Sequence, residues 1–102
     1  MCQKIKVFSL HKILLVEDDK TYAQTLMDFM SESDFEITWA NSAESAITEI
    51  YKQNFDIFIL DINLGGSNGI ELLNELKQSK HEKPTLFLTS DISSTTAIDL
   101  LL

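Results

Sequence analysis

The sequence holds a single cysteine, Cys2, so no disulfide can close within the chain, and neither a CxxC redox motif nor a cysteine-built zinc cluster can be assembled. A cytosolic setting is the matching expectation. Long apolar runs are also missing. The longest are strand-sized, well short of the roughly 20 residues a membrane helix needs. The opening MCQKIKVFSLHK alternates polar and apolar residues without the continuous apolar stretch of an export signal. No membrane association is expected. Positive charge is scarce, with 8 Lys and Arg against 16 Asp and Glu and a net charge of -8. Such a surface does not attract nucleic-acid phosphates, so direct DNA or RNA binding by this segment is not expected. No internal repeat, low-complexity tract or interdomain linker is found.

What is present suits one compact domain across 1–102: 102 residues, 44% hydrophobic and 24% charged. The acidic excess would serve a hard cation such as Mg2+ if several carboxylates met in one cleft, and would be mere solvation if they did not. Their spacing has to decide.

Short buried-looking runs alternate with amphipathic stretches, the pattern of parallel strands joined by crossover helices. Ile13 to Val16 is continuously apolar, as a strand covered on both faces must be, and it stops at Glu17, Asp18 and Asp19. Tyr22, Leu26, Phe29 and Met30 then fall on one helical face, predicting a helix near 20–32. Phe35 to Ala40 reads as a second strand, and Asn41 with Glu44 reads as an N-cap and its N3 partner for a second helix carrying Ala46, Ile47, Ile50 and Tyr51. Phe55 to Leu60, interrupted by Asp56, predicts a third strand ending at Asp61. Gly65 to Gly69 predicts a flexible loop, followed by a helix with Ile70, Leu73 and Leu76 that ends near Lys80. After Pro84, Thr85 to Leu88 predicts a fourth strand ending at Thr89, and Ser93 caps a last helix through Leu102.

In an open parallel sheet, ligands bind at the carboxyl ends of the strands. Glu17, Asp18, Asp61 and Thr89 all fall there. Any one of these acids alone is more commonly a loop residue; three strand ends together point to chemistry. A carboxylate can act as nucleophile in phosphoryl transfer while a metal neutralises charge on the transferring group. Asp61 is the candidate nucleophile, and Mg2+ would take one or two carboxylates from the Glu17 and Asp18 end together with Asp61.

ILLVEDD at 13–19, FILDINLGGSNGIELL at 58–73 and LFLTS at 86–90 resemble the receiver domains of two-component response regulators, and the likeness covers most of the chain. The resemblance implies a flavodoxin-like, doubly wound α/β sheet of strand order 2-1-3-4-5. It implies phosphoryl transfer to Asp61 from a histidine kinase or phosphotransfer protein, with Mg2+ or Mn2+, and a change in binding to an output domain or downstream regulator. By the same resemblance Asp18 is a direct metal ligand, Glu17 acts through a metal-bound water, and Asn63 offers its backbone carbonyl. Thr89 matches the switch hydroxyl, although a threonine there also suits a plain loop cap. Ser90 matches a position kept small, and is equally readable as an ordinary turn serine. Asn63 and Asp91 match positions that tune phosphate loss. Asp19 looks secondary.

Two departures stand out. Gly65 occupies a position usually held by proline, which predicts a more mobile loop. The chain also stops in the predicted fourth helix, before a fifth strand, a last helix, and the lysine and switch aromatic that the family carries there. Lys80 and Lys83 precede the fourth strand and should lie at the other end of the sheet. Weak or absent phosphorylation, an exposed apolar edge on the fourth strand and homo-oligomerisation through that edge are the expectations. Two rival functions are a pseudo-receiver that binds without phosphotransfer, and an aspartyl-phosphate hydrolase of the haloacid dehalogenase type. Asn63 argues against the hydrolase, since an amide cannot serve as its general acid and base. His11 and His81 read as surface residues, and Trp39 and the six phenylalanines as core.

Overall fold

In the computed structural model, residues 11–31, 34–64 and 67–88 are described. Their order is β1 (His11–Val16), α1 (Lys20–Met30), β2 (Phe35–Ala40), α2 (Ala43–Lys52), β3 (Ile57–Asp61), β4 (Asn63–Leu64), β5 (Ser67–Asn68), α3 (Gly69–Gln78) and β6 (Thr85–Leu88). The main sheet runs β2-β1-β3-β6, all parallel, with β1 and β3 at its centre. This is the predicted doubly wound arrangement over the first four main-sheet strands. The predicted helix from Ser93 lies outside the described residues.

Alternation along the two central strands divides the core. Leu14, Val16, Phe58 and Leu60 point to the face covered by α2 and α3, where they meet Ala46, Ile50, Leu72 and Leu76. Ile13, Leu15 and Ile59 point to the other face, where Ala23, Leu26, Met27 and Met30 of α1 cover them. Because both faces are buried, β1 reads as a continuous apolar run rather than an alternating one.

The inward face of α1 differs from the predicted one. Tyr22 is 44% exposed and Phe29 83% exposed, while Ala23 is fully buried. Positions 23, 26, 27 and 30 keep helical spacing, turned by about one residue from the face expected, because a small alanine lets the helix sit close to the sheet. The cap of α2 also shifts. Ser42, extended at φ -157 and ψ 166, accepts the Ser45 N–H, whereas Asn41 accepts from the Ser45 hydroxyl. The strand pairing that carries β2 through Ala40 leaves Asn41 one residue too early. Similarly β3 starts at Ile57 rather than Phe55. Asp56 donates its N–H to the Lys12 carbonyl, and its carboxylate accepts the Lys12 N–H at 2.8 Å, so it anchors the strand without continuing it.

At the end of α3, His81 N–H reaches the Leu76 carbonyl and Lys80 N–H reaches that of Lys77, the paired bonds of a Schellman turn. Lys80 sits in the left-handed region there, at φ 63. A side chain in that conformation costs about 1 kcal/mol relative to glycine. Lys80→Gly is therefore expected to raise stability by about 0.5–1 kcal/mol in urea denaturation; a loss would show that the lysine contributes contacts outweighing its backbone cost. Lys80 and Lys83 lie beside Phe55 and Phe58, at the amino end of β3 and away from its acidic end, as predicted. Leu86 on β6 is 58% exposed.

Candidate functional site

The carboxyl ends of β1 and β3 are adjacent because the strands pair directly, with Val16 opposite Leu60. The next residue of each strand is acidic, Glu17 and Asp61. Glu17, Asp18 and Asp61 each offer a carboxylate oxygen, and these three atoms lie within 4.8 Å of one another. Two ionised carboxylates at that separation repel by roughly 3 kcal/mol at an effective dielectric of about 20. A divalent cation turns that repulsion into attraction. Three hard oxygen donors of graded exposure, with open solvent beside Asp18, fit an ion such as Mg2+ that keeps several waters.

Each limb of the cluster is held by backbone bonds. Glu17 donates its N–H to the Ala40 carbonyl, its own carbonyl accepts the Trp39 indole N–H at 2.7 Å, and its carboxylate accepts the Asp19 N–H at 3.0 Å. Asp61 accepts the Asn63 N–H on Oδ1 at 3.1 Å, a tight local turn that orients the carboxylate. Ile62 bridges the limb to its neighbours, donating to Leu88 and accepting from Gly69. Glu17 is 2% exposed. That burial pushes its pKa up to about 7, and the crowding Asp61 and Asp18 carboxyls add to the rise, while the Asp19 amide opposes it.

Of the residues singled out from sequence, Glu17, Asp18 and Asp61 come together as expected. Asn63 lies two residues beyond Asp61, exposed and in β4. Leu88, the last residue of β6, pairs with Asp61, and Thr89, Ser90 and Asp91 lie outside the described residues. Three contributors escaped the sequence reading. Asp19 is the N-cap of α1, its carboxylate accepting the Tyr22 N–H, which accounts for the third acid of the run. Trp39, taken as core, is half-buried and bonded to the acidic loop. Gly69, read as part of a flexible loop, is the first residue of α3 and presses on Asp61: a Cβ at this position would lie 2.3 Å from the Asp61 carbonyl oxygen. The acidic triplet did signal a cap after β1, since aspartate before an amphipathic run is a helix start.

A parallel α/β sheet with convergent acids at adjacent strand ends defines a doubly wound protein with its site at the carboxyl edge. The family model described as "Response regulator receiver domain" matches residues 13–101, and the chain belongs to that family. It is 37% identical over 79 residues to Regulatory protein VanRB of Enterococcus faecalis, covering 78% of this chain and 36% of that protein. It is 32% identical over 81 residues to Transcriptional regulatory protein CpxR of Klebsiella pneumoniae, covering 79% and 34%. The chain thus spans about a third of the length of these relatives. Among solved structures, the signal receiver domain of a putative LuxO repressor protein from Vibrio parahaemolyticus superposes with a TM-score of 0.83 at 23% identity, over 90% of this chain and 71% of that one. The receiver domain of the Francisella response regulator 1452 superposes with a TM-score of 0.82 at 27% identity, over 89% and 75%.

Proposed function

We propose that this receiver domain accepts a phosphoryl group on Asp61, and that the closeness of Glu17, Asp18 and Asp61 is the observation carrying that reading. A carboxylate oxygen of Asp61 attacks the phosphorus of a phosphohistidine on a histidine kinase or phosphotransfer protein. The P–O bond to Asp61 forms as the P–N bond breaks, and the imidazole leaves with the electron pair and takes up a proton. Asp18 and Asp61 would hold Mg2+ or Mn2+ directly, with Glu17 through water and Asn63 by its carbonyl, and the ion would supply charge neutralisation on the transferring oxygens. The chain's own part is positional. The Asn63 N–H fixes the Asp61 carboxylate, and the bonds around Glu17 keep the other limb at ligand distance. By the family resemblance, Asn63 and Asp91 match positions that tune access of water to the acyl phosphate, and Ser90 matches one kept small.

The Thr89 hydroxyl moves toward the new phosphoryl oxygens and biases a surface between two arrangements, which an output domain or downstream regulator reads. The relatives' names place such domains in regulatory proteins, so transcription is the output this reading favours. The test is to incubate the protein with Mg2+ and a small acyl-phosphate donor and to record intact mass. A gain of one phosphoryl group, even in a minor fraction of the molecules, that is lost in Asp61→Asn and on chelation of the metal is the expected result. No gain in a folded, Mg2+-loaded sample would leave a binding module without phosphotransfer.

A further inference from the structure

The 17–18 limb of the acidic cluster is not shaped by its own residues alone. In a parallel ladder the last carbonyl of a central strand ordinarily accepts from the backbone of its neighbour. Here β2 supplies the first half of that exchange, since Glu17 donates to the Ala40 carbonyl, but the Glu17 carbonyl is taken by a side chain, the Trp39 indole at 2.7 Å. Trp39 is opposite Leu15 in the register and half-buried against the α1 face of the sheet, so its ring is anchored below the loop it reaches. The carbonyl it holds belongs to the peptide plane joining Glu17 to Asp18. Rotating that plane about the Glu17 Cα–C bond would swing the Asp18 Cα and its carboxylate relative to that of Glu17, whereas the Asp61 limb is set by separate bonds to Asn63, Leu88 and Gly69.

We propose that Trp39 is a positioning residue of the cation site, its indole N–H locking the 17–18 peptide so that the Glu17 and Asp18 carboxylates stand at ligand distance from Asp61. This rests on the metal-binding part of the function above. Partners that orient ligands from behind commonly carry about 10- to 100-fold in metal affinity. Trp39 does so through the backbone, by way of the Glu17 carbonyl.

Trp39 is the sole tryptophan, so the protein gives one indole N–H resonance. Mg2+ titration followed by that signal and by backbone amides is expected to move both with one shared Kd. Calorimetry is expected to show Mg2+ binding at least about tenfold weaker in Trp39→Phe. Ile37→Ala serves as the packing control: it removes apolar contact on the same strand and face, and is expected to lower Tm while leaving the Mg2+ Kd unchanged. Should Trp39→Phe fail to fold, the wild-type indole titration with the Ile37→Ala comparison still decides the matter. A wild type that binds Mg2+ with a static indole signal, or a folded Trp39→Phe of unchanged Kd, overturns the positioning role alone. A wild type that binds no Mg2+ overturns the cation site and this role with it.

Discussion

Gly69→Ala is expected to lower stability by about 3 kcal/mol, roughly 10–20 °C in Tm, although alanine is the better helix former. Two effects oppose each other. Helix propensity favours alanine over glycine by at most about 1 kcal/mol, and less at the first position of a helix, where the N–H lies outside the intrahelical ladder. Against it, the added Cβ would sit 2.3 Å from the Asp61 carbonyl oxygen, 3.1 Å from its carbonyl carbon and 3.2 Å from the Leu60 Cβ. The obstacle is backbone of a central strand, not the end of a flexible side chain, so either α3 withdraws from the sheet or β3 bends. Withdrawal uncovers Leu72 and Leu76, which are 3% and 2% exposed. Bending displaces Asp61 from Glu17. Thermal denaturation measures the first cost and Mg2+ titration the second. An alanine variant as stable as wild type would show that α3 is not seated against Asp61.

The second large effect concerns Glu17 and pH. Its folded pKa of about 7 stands above the 4.5 of the unfolded chain, so the folded metal-free protein binds the proton more tightly. Stability from this group is fully present below pH 4.5, declines as pH rises toward 7 and stays low above it. The decline is of order 1–3 kcal/mol for a carboxyl this deeply buried. Glu17→Gln keeps the shape and an acceptor for the Asp19 N–H without the charge. In chelator, the urea stability of wild type relative to Glu17→Gln should fall between pH 5 and pH 8. Saturating Mg2+ should reverse the sign, because the ion binds the ionised carboxylate and stabilises only the folded site, while the glutamine variant gains little. A stability difference independent of both pH and Mg2+ would mean that Glu17 is neither protonated in the apo fold nor part of a cation site.

Much of this is legible in the sequence alone. The apolar runs Ile13 to Val16 and Phe55 to Leu60, the latter broken only at Asp56, announce doubly covered parallel strands, because a chain cannot bury both faces of a strand without apolar residues along it. The acids that end those runs announce the site, since strand ends converge in such sheets whatever the intervening helices do. Local signals misled where two neighbouring residues competed for one role. Asn41 and Ser42 both suit a helix cap, and the choice fell to Ser42 only through the β1–β2 register. Tyr22 and Phe29 carry the stronger apolar signal on α1, yet the inward side follows Ala23, because close approach to Ile13 and Leu15 rewards a small residue.

Composition and spacing alone thus determined the class of fold, the order of its main-sheet strands and helices and the three carboxylates at its carboxyl edge, whereas the short β4–β5 pair was read as loop. Neither determined the distances. That the Glu17, Asp18 and Asp61 oxygens come within 4.8 Å, that the Trp39 indole closes on the Glu17 carbonyl and that Gly69 bears on Asp61 depend on contacts between separate elements of the fold. Such contacts leave no period in the sequence, because they are set by how β2 and α3 dock against the central strands rather than by any residue's own preference.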